Sequence, residues 1–294
     1  MYRCTKKEDG RWVWCDKYGQ QGGDNIAMVR ELEPGAGYAD AVAALVGAPL
    51  HQPIARPQQP APPREPPVVP FQRPSDEGSG REYLAGRGIS YETLDAAREH
   101  GFLQYSEGAV LFVGYDDHGQ AQNICRRAIS ESDPVQKRDF KGSDKSFPAV
   151  LEGDPKNVWV VEGGVDALAV QDMYRMTDRP PPTVIVSGGA NTISWVERCR
   201  DILQQADQVV LAHEREKDAE TQAHTDAGHA KQIRRIEDIT EQPVDEWRPP
   251  VGTKDFADYH LREVREMERL QDERERVLEE QRQREKDRGK GWSR

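Results

Sequence analysis

Paired cysteines and long apolar runs are both missing from this chain. The four cysteines, Cys4, Cys15, Cys125 and Cys199, stand far apart. They form no CxxC or CxxH pair of the kind a tetrahedral zinc site uses, so they read as reduced thiols and no zinc is expected. No apolar stretch approaches the roughly eighteen residues that span a bilayer, and no charged start leads into an apolar run. A cytoplasmic protein without membrane contact is therefore expected. Hydrophobic residues are also few, 36% against 32% charged over 294 residues, so part of the chain is expected not to pack. Positive charge is short as well: a net charge of -11 argues against nonspecific coating of nucleic acid, because neutralising phosphates takes a basic surface. It leaves open a local basic groove. It also leaves open a divalent ion held by carboxylates, which turns an acidic site into a phosphate-binding one.

What is present divides into segments. Residues 1–50 carry an aromatic strand, RWVWCD, a turn, GQQGGD, and two short amphipathic helices within NIAMVRELEPGAGYADAVAALVG. Nine prolines between Pro53 and Pro74 forbid helix and mark 51–78 as an extended, solvated linker. Within 79–155, REYLAGRGISYETLDAAREHGFL reads as two helices around GRGIS, with Ser90 as the N-cap of the second. AVLFVGYDDHGQAQNICRRAI reads as a hairpin turning at DDHG. Over 156–260 the strands VWVVE (158–162), TVIVSGG (183–189) and QVVLAH (208–213) alternate with helices. That alternation implies parallel strands joined by right-handed crossovers, an α/β fold with a helix-flanked sheet. Residues 261–294 are rich in both charges and poor in apolar residues, and read as a solvated helix that frays into a basic tail.

In an open parallel sheet, functional groups gather just past the carboxyl ends of the strands. Two of these strands deliver acids there. VWVVEGGVDALA puts Glu162 at one tip, with Gly163 and Gly164 to let the backbone turn and Asp166 opening the next helix. VVLAHERE puts Glu214 and Glu216 at another, two apart and so on one face if the segment stays extended. Carboxylates from two strands suit Mg2+ or Mn2+, which take hard oxygen ligands and leave positions for water and phosphate. Strands also end in charge simply where they meet solvent.

The run VVEGGVDALA, VSGGAN, VVLAHERE and DAGHAKQI resembles the Toprim domain shared by bacterial primases, topoisomerases and some nucleases, over roughly 155–260. The resemblance implies a Toprim-like (Rossmann-like) parallel sheet, Glu162 as general acid or base, Asp166 as a supporting acid, and Glu214 with Glu216 as metal ligands. Where the family has two aspartates this chain has two glutamates, and about ten extra residues, KDAETQAHTD, follow them. Asp218 and Asp226 within or beside that insertion are reserve ligands. YLAGRGIS, CRRAI and FKGSDKSFPAVLEG are similar to a region preceding Toprim in plasmid mobilisation and phage or plasmid replication proteins. GTKDFADYHL resembles the segment closing the domain there, which implies Lys254, Asp255 and Asp258 near the crevice. GGDNIAMVRELEPGAGYADAVAALVG resembles the helical half of the primase zinc module, without its zinc ligands.

Arg126, Arg127, Lys137, Arg138, Lys141 and Lys145 lie beside Phe140 and Phe147, a mixture suited to tracking a single strand by phosphate contact and base stacking. With Lys254 they are the expected nucleic-acid contacts. The resulting expectation is a primase-like protein of a mobile element, acting on single-stranded DNA or RNA and nucleotides by metal-dependent phosphoryl transfer, with replication or mobilisation proteins as partners. A noncatalytic accessory factor and a Toprim nuclease are the alternatives.

Overall fold

The computed structural model describes residues 2–7, 12–16, 22–33, 37–46 and 64–290, which fall into two units that divide at Pro63. The first holds an antiparallel sheet, β1 (Tyr2–Lys6), β2 (Trp12–Asp16) and β3 (Gly22–Asp24), followed by helices α1 (Asn25–Leu32) and α2 (Tyr38–Val46). Asp24 caps α1, its carboxylate accepting from the Ala27 N–H at 2.9 Å. The first half of the expected GQQGGD turn and the linker before Arg64 lie outside the described residues, while the last three residues of that turn pair with β2 as β3.

The second unit begins extended and enters α3 (Pro74–Gly86), then α4 (Tyr91–Glu99). Helix α3 starts inside the stretch expected to be linker. Its proline stands at the first helical position, where the missing N–H is not needed, and the Arg73 N–H donates to Asp76 Oδ2 at 3.0 Å. An antiparallel meander follows: β4 (Leu103–Ser106), β5 (Ala109–Tyr115), β6 (Ala121–Ala128) and β7 (Lys137–Asp139). The remaining elements are β8 (Ala149–Leu151), β9 (Asp154–Val161), α5 (Gly164–Met176), β10 (Pro182–Val186), α6 (Ser194–Arg198), α7 (Arg200–Gln205), β11 (Gln208–Ala212), α8 (Ala219–Thr240), β12 (Asp245–Trp247) and α9 (Phe256–Lys290).

The five-stranded sheet has the order β12-β11-β9-β10-β8, parallel except for β8, which runs antiparallel to β10. Its central strands β11, β9 and β10 are apolar on both faces, as burial by helices on each side requires. Trp159, Val161, Val184 and Val210 pack with Leu168 of α5 and Phe256 of α9. Val158, Val160, Ile185 and Leu211 face the other way, against Trp195, Leu203 and Ile236 of α6, α7 and α8. The core on the α5 side continues into Leu84, Leu94, Phe102 and Phe112, so the two sheets of this unit share it.

One close approach fixes that joint. A Cβ on Gly164, the first residue of α5, would lie 2.1 Å from the Phe112 ring, so only glycine lets the helix meet β5. A second joint is polar. Asp172 of α5 is 1% exposed and accepts hydrogen bonds from the Ser90 N–H at 3.1 Å, the Ser90 hydroxyl, the Thr93 hydroxyl at 2.6 Å and His260 Nε2 at 2.9 Å. It thereby ties the start of α4 and the first turns of α9 to α5. Helix α9 is buried only over those turns, at Phe256, Ala257 and His260, and runs out into solvent beyond them. Among the described residues no helix is long and apolar enough to cross a membrane.

Candidate active site

Strands β9 and β11 are neighbours and run parallel, so the residues after Val161 and Ala212 emerge side by side. There a cavity of about 300 Å³ opens. Glu162, Asp166, Glu214, Asp255 and Asp258 line it from the end of the parallel sheet and the start of α9, while Arg127 and Lys137 come from β6 and β7 and Arg87 from the turn after α3. Acids and cations thus reach one space from different sheets.

Each acid has its own environment. Glu162 Oε1 accepts from His229 Nε2 at 3.0 Å. Burial acts to raise its pKa, but the His229 hydrogen bond and the charges of His229, Lys137 and Lys254 leave it below the usual carboxylate range. Glu214 Oε2 accepts from Lys254 Nζ at 2.7 Å. Its pKa is nevertheless raised, by burial first and then by the Glu162 charge. Asp166 is pushed up to about 8, chiefly by burial and then by Asp255 and Glu214. It is therefore neutral at pH 7, and its Oδ1 accepts from the Ala257 N–H at 3.0 Å, which fixes α9 on α5. Five carboxyl groups line one space, and burial together with their mutual repulsion pushes two of them, Asp166 and Glu214, upward. The donor set suits a hard divalent ion: Glu162, Glu214 and Asp255 offer oxygens and nothing softer.

The structure does not bring all the expected residues here. Glu216 is turned away: its Oε1 accepts from the Thr225 hydroxyl at 3.1 Å, and its N–H donates to Gln222 Oε1 at 2.9 Å. The strand ladder stops at Ala212, and past it the period-two pairing of Glu214 with Glu216 does not hold, because the two side chains go to different partners, Lys254 and Thr225. Asp255 takes the vacated place in the cavity wall. Asp218 caps α8 through the Thr221 N–H at 2.9 Å. Asp226 accepts from Arg248 Nη1 at 3.0 Å.

The basic residues separate in the same way. Strand alternation sends Cys125 and Arg127 to the cavity and Arg126 to the opposite face, where it pairs with Asp133 at 2.7 Å. Lys137 lies opposite Arg127 in the β6–β7 register and joins it in the cavity. Lys141 is exposed outside it, and Lys145 Nζ donates to the Gly188 carbonyl at 3.0 Å, beyond the end of β10. Lys254 is in the cavity but bound to Glu214. Sequence reasoning missed Arg87, whose signal was only a basic residue in a turn. It also missed His213 and His229, although DAGH places Asp226 and His229 three apart on one helix face.

No protein-family description matches the chain, and no curated protein sequence does. Among solved structures the chain is similar to the primase fragment of the bacteriophage T7 primase-helicase protein, with 15% identity, 86% of this chain and 88% of that one covered, and a TM-score of 0.45. It is similar to the DnaG catalytic core, with 15% identity over 65% and 70% of the two chains and a TM-score of 0.45. The zinc-binding and RNA polymerase domains of the Aquifex aeolicus primase match with 14% identity over 92% and 78%, at 0.40. TM-scores of this size leave function to be read from the cavity's own chemistry.

Proposed function

We propose that the chain is a primase-like enzyme of a mobile element that joins nucleotides on single-stranded DNA or RNA by divalent-metal-dependent phosphoryl transfer, in the cytoplasm and alongside replication or mobilisation proteins. The observation that carries this is the cavity at the ends of β9 and β11, where carboxylates from the parallel sheet and cations from the antiparallel one face a common space. A nucleoside triphosphate with its metal has the complementary polarity. Glu214 and Asp255 would hold Mg2+ or Mn2+, which when bound supplies Lewis-acid polarisation of a phosphoryl oxygen. Arg87, Arg127 and Lys137 bind and orient the phosphates. Glu162, ionised and held at one oxygen by His229, accepts the proton of the attacking hydroxyl. The choice of nucleic acid over other phosphate substrates rests on the Toprim resemblance of the strand-end motifs.

A noncatalytic accessory reading is favoured by one observation, the Lys254 ammonium seated on Glu214 at 2.7 Å. Incubation with labelled nucleotides, single-stranded circular DNA, and Mg2+ or Mn2+ separates the readings. The enzyme yields extended products, and Glu162→Gln and Glu214→Gln each reduce them at least ~100-fold. Undiminished product from Glu162→Gln overturns the role of that residue, strand cleavage without synthesis favours a nuclease, and no turnover of any kind favours the accessory role.

A further inference from the structure

Behind Glu162 lies a group of donors that the cavity does not use. His213 follows β11 and His229 sits on α8; they are 3% and 1% exposed. His213 Nε2 is 2.7 Å from Glu246 Oε2, and His229 Nε2 is 3.0 Å from Glu162 Oε1. A carboxylate only accepts, so each Nε2 carries a hydrogen, and in the neutral ring each Nδ1 then bears a lone pair. Those two Nδ1 atoms face one another at 3.0 Å. Two acceptors at that distance repel unless something positive lies against both. Asp226 Oδ1 is 3.6 Å from His213 Nδ1, and the ligand atoms of His213, Asp226 and His229 all lie within 4.8 Å of one another.

We propose that His213 Nδ1, His229 Nδ1 and Asp226 Oδ1 form a second metal site, one for a divalent transition ion such as Zn2+ or Co2+. Donors about 2.0–2.1 Å from a tetrahedral ion stand about 3.4 Å apart. The observed separations of 3.0 and 3.6 Å straddle that value. Two imidazoles select such an ion over Mg2+, which prefers oxygen alone. The outer contacts are those of a metal-bound histidine: each ring's other nitrogen donates to a carboxylate, Glu246 or Glu162, which fixes tautomer and orientation. The cysteine spacing that argued against zinc does not bear on this site, which uses none. The ion would clamp α8 to the end of β11 and, through His229, hold the carboxylate of Glu162 in place. Two residues compete with it on Asp226 Oδ1: Arg248 Nη1 at 3.0 Å and Gln222 Nε2 at 3.2 Å.

The rival arrangement is an extra proton on one ring, donated from Nδ1 to Nδ1. Titration of the tag-free full-length chain with Co2+, followed by visible absorption, separates the two. Expected is one saturable site with the intense bands of low-coordinate cobalt, displaced by Zn2+, and a rise in the unfolding midpoint with either ion. His229→Gln abolishes the bands, Asp226→Asn weakens binding at least ~10-fold, and Glu246→Ala weakens it ~10–100-fold through His213. Arg248→Met tightens it. Far-UV circular dichroism identifies any variant that has failed to fold, and Asp226→Asn and Arg248→Met, at partly exposed side chains, keep the test available in that case. Glu214→Gln leaves the bands intact while it removes nucleotide incorporation, so the two sites fail separately. The proposal is overturned if no saturable cobalt spectrum appears, if the histidine and aspartate variants bind as the parent does, or if nitrogen NMR finds an Nδ1–H···Nδ1 hydrogen bond that persists at saturating Zn2+.

Discussion

Replacing Asp172 by alanine removes the one acceptor shared by four donors from two other helices. His260 keeps a second partner, the Gly88 carbonyl at 3.0 Å, and the Ser90 hydroxyl can rotate. The Ser90 N–H loses its acceptor outright, and the buried Thr93 hydroxyl is left only with the Ser90 hydroxyl at 3.2 Å, which has itself lost Asp172. Hydrogen bonds to a charged group contribute about 1.5–3 kcal/mol each, and a buried pair broken on one side costs about 3–5 kcal/mol. Alanine should therefore cost about 3–5 kcal/mol, a large share of the ~5–15 kcal/mol that holds a domain. Asparagine keeps an acceptor for Ser90 and Thr93 but offers His260 a donor. The imidazole can switch tautomer to meet it, yet its Nδ1 has no partner to receive the displaced hydrogen. That cost is about 1–3 kcal/mol. Urea unfolding monitored by near-UV circular dichroism measures both, with the slope expected to stay constant while the midpoint moves. The pH dependence adds a check. Burial alone would raise the Asp172 pKa, but the bonds from His260, Ser90 and Thr93 leave it depressed. Its contribution is thus fully present above the unfolded carboxylate value of ~4 and fades as the pH falls through the lower folded value. The gap between parent and Asp172→Asn should be constant near neutrality and close in acid. Both variants falling within ~1 kcal/mol of the parent would refute the account of this joint.

Three further outcomes are expected. Gly164→Val should destabilise the fold by about 1–3 kcal/mol or more, because its Cβ would fall 2.1 Å from a Phe112 ring carbon; thermal unfolding measures it, and an unchanged midpoint would contradict the close approach. Arg127→Ala should weaken binding of a fluorescent single-stranded oligonucleotide about 10-fold, while Arg126→Ala, already paired with Asp133, stays within about 2-fold; a charge-assisted contact is worth roughly 1.5–3 kcal/mol, and equal effects would argue against the cavity as the binding face. Asp166, with a folded pKa of about 8 against ~4 unfolded, holds in the native state a proton that the unfolded chain has released. Stability should therefore decline as pH rises between those values. Asp166→Asn should gain on the parent as pH rises from ~4 to about 8 in chelator, and Mg2+ should narrow that gain; a parent and variant with parallel pH curves would count against the raised value.

The parallel strands were legible because their residues are apolar on both faces and bounded by glycine or acid. β9, β10 and β11 end within three residues of where VWVVE, TVIVSGG and QVVLAH placed them. β8 and β12, three residues each, are too short to show any period, so the edges of the sheet were not. In the site, Glu162 was legible because a strand, an acid and two glycines leave the backbone few choices. Glu216 was not, because its direction is set by tertiary partners on α8, the Thr225 hydroxyl and the Gln222 side chain, that no strand pattern shows. Asp255, which the GTKDFADYHL resemblance placed near the crevice, and Lys137, one of the expected basic contacts, both line the cavity, while Arg87 reaches it through tertiary contacts that no local pattern encodes.

Charge placement in the cavity argues for a guest that carries both signs. Had the acids and bases of the cavity existed only to stabilise the fold, the economical arrangement would be direct ion pairs, each quenching its partner. Lys254 with Glu214 is such a pair. Arg127 instead donates to the Tyr83 hydroxyl at 3.3 Å, and Glu162 accepts from a histidine. Lys137 acts on Glu162 through its field, lowering its pKa, from another part of the cavity wall. Burial first, and like charges kept close on one wall second, raise the pKa values of Glu214 and Asp166, and both cost stability. A phosphate bound to a divalent ion relieves both walls at once, the ion against the carboxylates and the phosphate oxygens against Arg87, Arg127 and Lys137. Neither component alone does so, and binding of nucleotide and of Mn2+ should therefore be mutually dependent, each tightening the other by the same factor. Equilibrium dialysis with labelled triphosphate, with and without Mn2+, measures that factor. A value of one would mean that the two walls do not share a guest.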